Sequence, residues 1–102
     1  MKAYLNPVEE EEKVLLEEDL EDADLEQNAR LIVFNDDHNT FEWVIQCFME
    51  VLGHVETQAE QLALIIHLKG KATVKTASKT VLQPFKDALI DRGLSAVIEE
   101  DE

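Results

Sequence analysis

The sequence predicts an α+β domain in which a three-stranded, mostly antiparallel sheet carries three helices on one face, in the order β-α-α-β-α-β. Three observations lead there. Leu31 to Phe34 is a run of four large apolar residues that stops at Asn35, Asp36, Asp37, His38 and Asn39, as a short buried strand does on meeting a turn. Two stretches of helical spacing follow, ended by Gly53 and Gly70. Lys71 to Thr76 then alternates apolar and polar residues, the period of a half-exposed strand.

Taken in order, the first strand covers Ala29 to Phe34. Asn39 is the expected cap of the first helix, with Glu42 three residues on completing a capping box. Phe41, Val44, Ile45, Phe48 and Leu52 share a helical stripe, and Trp43, Cys47 and Met49 lie off it, so this helix lines the core with one part and a groove or interface with another. Thr57 with Glu60 announces the second helix, whose apolar face is Ala59, Leu62, Ala63 and Ile66. Ser78 or Thr80 opens the third helix, and Thr80, with Gln83 three residues on, is the better start because Pro84 belongs near a first turn. The helix carries Val81, Leu82, Phe85 and Leu89 and closes at Gly93. Leu94, Ala96 and Ile98 then alternate with Ser95 and Val97 as the last strand. Helices packed on one face of such a sheet make an α+β sandwich.

At 102 residues the chain has room for one core and not two. Its formal net charge of -14 is unevenly spread. Residues 1 to 28 hold eleven acidic residues and two lysines, whereas residues 29 to 102 hold twelve acids and seven bases. The expected organisation is therefore an acidic, flexible N-terminal extension over 1 to 28 and a core domain over 29 to 102. Two readings of the extension stand side by side: an arm that engages a partner, or a tail that keeps the protein dissolved.

Charge and composition also exclude functions. A surface this acidic repels phosphate, so nucleic acid is not an expected partner. No apolar run reaches the length of a membrane span, and the first residues lack the apolar core of a signal peptide, so no membrane is expected either. The one cysteine, Cys47, has no intramolecular partner, and a reducing, cytoplasmic setting follows.

Catalytic and metal chemistry find little support. Asp36, Asp37, His38, His54 and His67 are metal-ligand types, but no HxxxH or CxxC spacing brings two of them together on one element. Cys47 falls mid-helix among apolar residues, where a thiol is usually inert. Adjacent carboxylates such as Asp36 and Asp37 generally point apart, and no second acid/base element is visible. The expectation is a protein that is not an enzyme and needs no metal or cofactor.

Residues 34 to 70, reading FNDDHNTFEWVIQCFMEVLGHVETQAEQLALIIHLKG, resemble the ClpS family, the adaptors that deliver N-degron substrates to the AAA+ unfoldases ClpA or ClpC of the Clp protease. The resemblance continues through KATVKTAS and RGLSAVIEE, covering residues 29 to 100. Its most specific part is the NDD triplet before a helix combined with QA..QL.....H.KGKA downstream. The same order of elements is similar to the C-terminal domain of the bacterial ribosomal stalk protein.

What the resemblance implies is specific. A substrate's free α-amino group would be held by Asn35, Asp36, Asp37 and His67, and its first side chain would enter a hydrophobic pocket formed by Asn39, Phe41, Val44, Ala63 and Ile66. Phe41 stands where familiar members have a methionine, and Ala63 replaces a bulkier group. The implied partners are the N-domain of a ClpA- or ClpC-type unfoldase and a substrate N-terminus bearing Leu, Phe, Tyr or Trp. Elementary chemistry agrees, because an ammonium with three donors is matched by an amide oxygen, a carboxylate and a neutral imidazole nitrogen that converge on it. Two other readings remain open on sequence: an interaction domain like the ribosomal stalk's, docking through an exposed Trp43, and a small hydrolase built on Asp37 and His67.

Overall fold

The computed structural model describes residues 28 to 100. All of the acidic extension except Asn28 lies outside the described residues. Strand β1 (Asn28–Phe34) is central, pairing antiparallel with β2 (Lys71–Ser78) on one side and with β3 (Ser95–Glu100) on the other. A strand flanked on both sides suits the uninterrupted apolar run, and Leu31, Ile32 and Val33 are all buried. Helices α1 (Phe41–Leu52) and α2 (Glu56–Lys69) intervene between β1 and β2, and α3 (Lys79–Asp91) between β2 and β3. The predicted β-α-α-β-α-β order and antiparallel sheet are therefore present.

One core cluster joins the sheet to all three helices. Ala29, Leu31 and Val33 of β1 meet Cys47 and Phe48 of α1, Ala59 and Ile66 of α2, and Leu82 and Leu89 of α3. The second helix buries Ala59, Ala63 and Ile66 of its predicted face, and the third buries Leu82 and Leu89 of its own but leaves Val81 45% exposed. The first departs further. Cys47 and Phe48 are its fully buried residues, whereas Phe41 is 41% exposed, so α1 is rotated from the expected stripe toward Cys47. The physical reason is that α1 is apolar around most of its girth, which leaves spacing alone unable to choose a face. Burial pushes the Cys47 thiol above its ordinary pKa, with Arg92 nearby opposing, so it packs as a small apolar group.

Three helix starts differ from expectation. Thr40, not Asn39, caps α1: its backbone is extended and its hydroxyl accepts from the Trp43 amide at 3.1 Å. Val55 precedes α2 with no side-chain cap, and Thr57 lies within the helix. Ser78 caps α3 by accepting from the Val81 amide at 3.4 Å, which puts Pro84 in the second turn. There the proline cannot donate to the carbonyl four residues back, a cost that the buried Leu82 and Leu89 on either side offset. The last strand begins at Ser95, because Leu94 is still in the turn from α3.

Candidate functional site

The loop between β1 and α1 is fastened at both ends. At its start the Asn35 amide donates to the Gly70 carbonyl at 2.9 Å, tying the end of β1 to the end of α2. Gly70 holds that place because its φ of 94° is left-handed, where a side chain would be strained, while its own N–H bonds to the Ile66 carbonyl at 2.8 Å. His67, on the last turn of α2, is thereby brought beside Asn35.

In mid-loop the Asp36 carboxylate is the organiser. Its Oδ1 accepts from the backbone amides of His38 and Asn39, both at 2.9 Å, and the Asn39 Nδ2 sits 3.1 Å from Oδ1 and 2.9 Å from Oδ2. Burial pushes this carboxyl up, but the bonds from His38 and Asn39 outweigh it and hold the pKa below the ordinary aspartate value. Such a group stabilises the fold fully above its unfolded pKa and ceases to do so as pH falls through the folded one. Asp36→Ala should thus cost about 1–2 kcal/mol at neutral pH and flatten the acid limb of the stability curve. Thermal melts of both proteins between pH 2 and 7 would check it; parallel curves would remove this role from Asp36.

At the loop's far end, the same Asn39 Nδ2 donates to the Gly93 carbonyl at 2.9 Å. One turn on, Trp43 Nε1 donates to the Arg92 carbonyl at 3.0 Å, and Arg92 pairs with Glu50. The start of α1 is therefore clasped to the turn after α3. Gly93 makes that turn with a φ of 94°, and a Cβ built on it would lie 3.7 Å from Asn39 Oδ1. These contacts explain why Asn39 does not cap the helix. They also correct the picture of an exposed Trp43, which is half-buried with its indole nitrogen already bonded.

Asn35, Asp36, Asp37, Asn39, Phe41, Val44, Ala63, Ile66 and His67 line one depression of 280 Å³. All nine candidate residues thus share a cavity drawn from the loop, α1 and α2. Ala63 and Ile66 are buried behind it, and Phe41 stands at the rim. The polar side holds two carboxylates and no lysine or arginine, so it favours a cation. The volume is at the small end of ligand pockets, fitting a single side chain with its attached amine rather than a large cofactor.

The remaining candidates scatter. His54 packs edge-on to Phe48 with ring centroids 6.2 Å apart, and burial with Lys75 nearby lowers its pKa. His38 is exposed on the loop. Among the described residues no group of three or more His, Cys, Asp or Glu side chains is arranged to hold a metal. Nor is any helix among them long and apolar enough to cross a membrane.

Residues 24–96 match the family described as ATP-dependent Clp protease adaptor protein ClpS. The chain belongs to the ClpS family. Among its relatives, the ClpS adapter of Streptomyces coelicolor is 30% identical over 70 residues, spanning 69% of this chain and 73% of the relative. That of Thermosynechococcus vestitus is 30% identical over 76 residues, spanning 74% and 81%. The fold matches Agrobacterium tumefaciens ClpS2, solved with L-phenylalaninamide bound, at a TM-score of 0.71 and 18% identity, over 74% of this chain and 98% of that one. ClpS proteins are adaptors of the Clp protease and not catalysts, which closes the hydrolase reading of Asp37 and His67.

Sequence reasoning missed the residues behind the ClpS loop. Arg92, Gly93 and Trp43 support it by hydrogen bonds, and Leu94 floors a small adjoining cleft of 20 Å³ shared with Asn35, Asn39 and Val44. The one local signal was Gly93, read only as a helix stop.

Proposed function

We propose that this ClpS-family chain binds proteins by a bulky hydrophobic N-terminal residue, Leu, Phe, Tyr or Trp, and delivers them to the N-domain of a ClpA- or ClpC-type unfoldase. The observation that carries the reading is the shared depression, with carboxylates and imidazole at one end and apolar walls at the other. Asn35, Asp37 and His67 receive the α-ammonium. Asp36, whose oxygens are already taken by His38 and Asn39, contributes its charge and the loop's shape. Asn39, Phe41, Val44, Ala63 and Ile66 enclose the first side chain. The ligand of Agrobacterium ClpS2, an aromatic amino-acid amide, has the same two features, and the free, buried Cys47 is in keeping with a cytoplasmic setting.

Each half contributes too little alone. A charge-assisted hydrogen bond is worth about 1.5–3 kcal/mol, and burying a Leu or Phe side chain about the same. Requiring both selects a chain end over an internal segment. Titration with a short Leu-initiated peptide and its N-acetylated twin tests this: saturable binding lost on acetylation is expected, and equal binding of the two would sink the proposal. Branching at Cβ adds bulk next to the anchored amine, where the buried Ala63 and Ile66 leave little give, so Ile- and Val-initiated peptides should bind more weakly than Leu. Equal affinities for Ile and Leu would mean a wall that yields.

A further inference from the structure

One edge of the sheet carries a charge opposite to that of the chain. Residues 69 to 86 hold five lysines and neither aspartate nor glutamate, in a chain whose net charge is -14. They run from the end of α2 through β2 into α3, and β2 is an edge strand, hydrogen-bonded to β1 alone. Lys71 Nζ lies over the Phe34 ring at 5.8 Å and Lys75 Nζ over the Phe85 ring at 5.1 Å, contacts that hold the two ammonium groups beside the strand. Lys69 and Lys79, just beyond its two ends, are exposed. Among the described residues the ion-paired carboxylates go to arginines, Glu99 to Arg30 and Glu50 to Arg92, and none to these lysines.

We propose that the β2 edge is the dock of this chain's own acidic segment, residues 9 to 26, which the lysines hold against the core until salt or a more acidic competitor displaces it. The inference goes beyond the N-terminal-residue reading and does not depend on it. Charge is the first argument: residues 9 to 26 carry eleven acids and one lysine, the complement of the lysine strip. The second is where the segment joins the core. Asn28 pairs with Ser78, so the chain enters β1 beside the end of β2 and next to Lys79. Reach is the third. The eight residues of β2 extend over about 26 Å, and residues 9 to 26 span about 27 Å even if coiled as a helix and about 60 Å if extended. On this path Asp24 and Glu26 meet Lys79, whereas Glu17 and Glu18 reach Lys71. Lysines on an open edge also discourage copies from pairing there, but copies of a chain at -14 already repel one another. A tethered segment, by contrast, is present at the edge at an effective concentration on the order of millimolar.

The test treats the full chain with a zero-length carbodiimide reagent, which joins a carboxylate to a lysine that it touches, and reads the linked peptides by mass spectrometry. Links within one chain from the acids of residues 17 to 26 to Lys71, Lys75 or Lys79 are expected at low salt, and their loss at high salt. In parallel, the wild type and Lys71→Gln/Lys75→Gln/Lys79→Gln are exposed at the same low salt to a glutamate-specific protease. Cleavage within residues 9 to 26 should be about tenfold faster in the variant, the effect of losing three exposed ion pairs. Links that join two copies would put a second chain's extension on the edge and overturn docking within one chain. Links confined to Lys2 and Lys13, or equal cleavage of the wild type and a folded variant, would overturn the dock altogether. The linking arm uses the unaltered chain and decides the question by itself if circular dichroism shows the variant misfolded.

Discussion

His67→Ala should weaken binding of a Leu-initiated peptide more than tenfold and leave the fold unchanged. His67 is exposed on the last turn of α2 and belongs to no core cluster, so its loss removes a ligand contact and little else. Loss of one charge-assisted hydrogen bond worth about 1.5–3 kcal/mol corresponds to a factor of roughly 10 to 150 in affinity. Asn35→Ala should behave alike, because the bond that fastens the loop comes from the Asn35 backbone and survives the substitution. Calorimetric titration with circular dichroism as a fold control would measure both. Wild-type affinity in His67→Ala would remove that residue from the site.

The second large effect concerns delivery rather than binding. A chain starting near Gln27 retains every element that lines the depression, so its peptide affinity should equal that of the full chain. Degradation of a Leu-initiated reporter by the cognate Clp protease should nevertheless collapse, because the acidic extension is proposed as the segment by which the unfoldase engages its adaptor. Replacing the extension with a neutral linker of equal length separates the causes. Recovery with the linker means that length matters and charge does not, whereas full delivery by the shortened chain rules the arm out and leaves a solubilising tail.

Much of this molecule is legible in its residues, and the failures share a cause. The LIVF run, the glycines at 53 and 70 and the alternation after Lys71 are local signals, and each produced the expected element. The candidate site residues are legible only through the NDD triplet and the downstream histidine, motifs carried by a resemblance. What stayed hidden was decided at long range. The rotation of α1 depends on which face the sheet and α2 cover, and a helix apolar on most sides does not encode that choice. Asn39 looks like a cap because asparagine is among the residues favoured there; a carbonyl 54 residues away claims its amide instead. Thr40, next in line, takes the cap with the hydroxyl that β-branching does not prevent from turning back on Trp43.

The clasp on Asn39 has a consequence for how small a ligand can be. Fixing the backbone of a residue costs about 1–2 kcal/mol of conformational entropy, so ordering Asn35 to Asn39 upon binding would demand roughly 5–10 kcal/mol. An amine held by three charge-assisted bonds and one buried side chain return about 6–12 kcal/mol, nearly all of which that ordering would consume. Because Gly70 grips one end of the loop and Gly93 the other, the ordering is completed when the protein folds, and the ligand meets a shape that is already set. Loosening the turn at Arg92 and Gly93 would therefore appear as lost affinity in a protein whose contact residues are all intact.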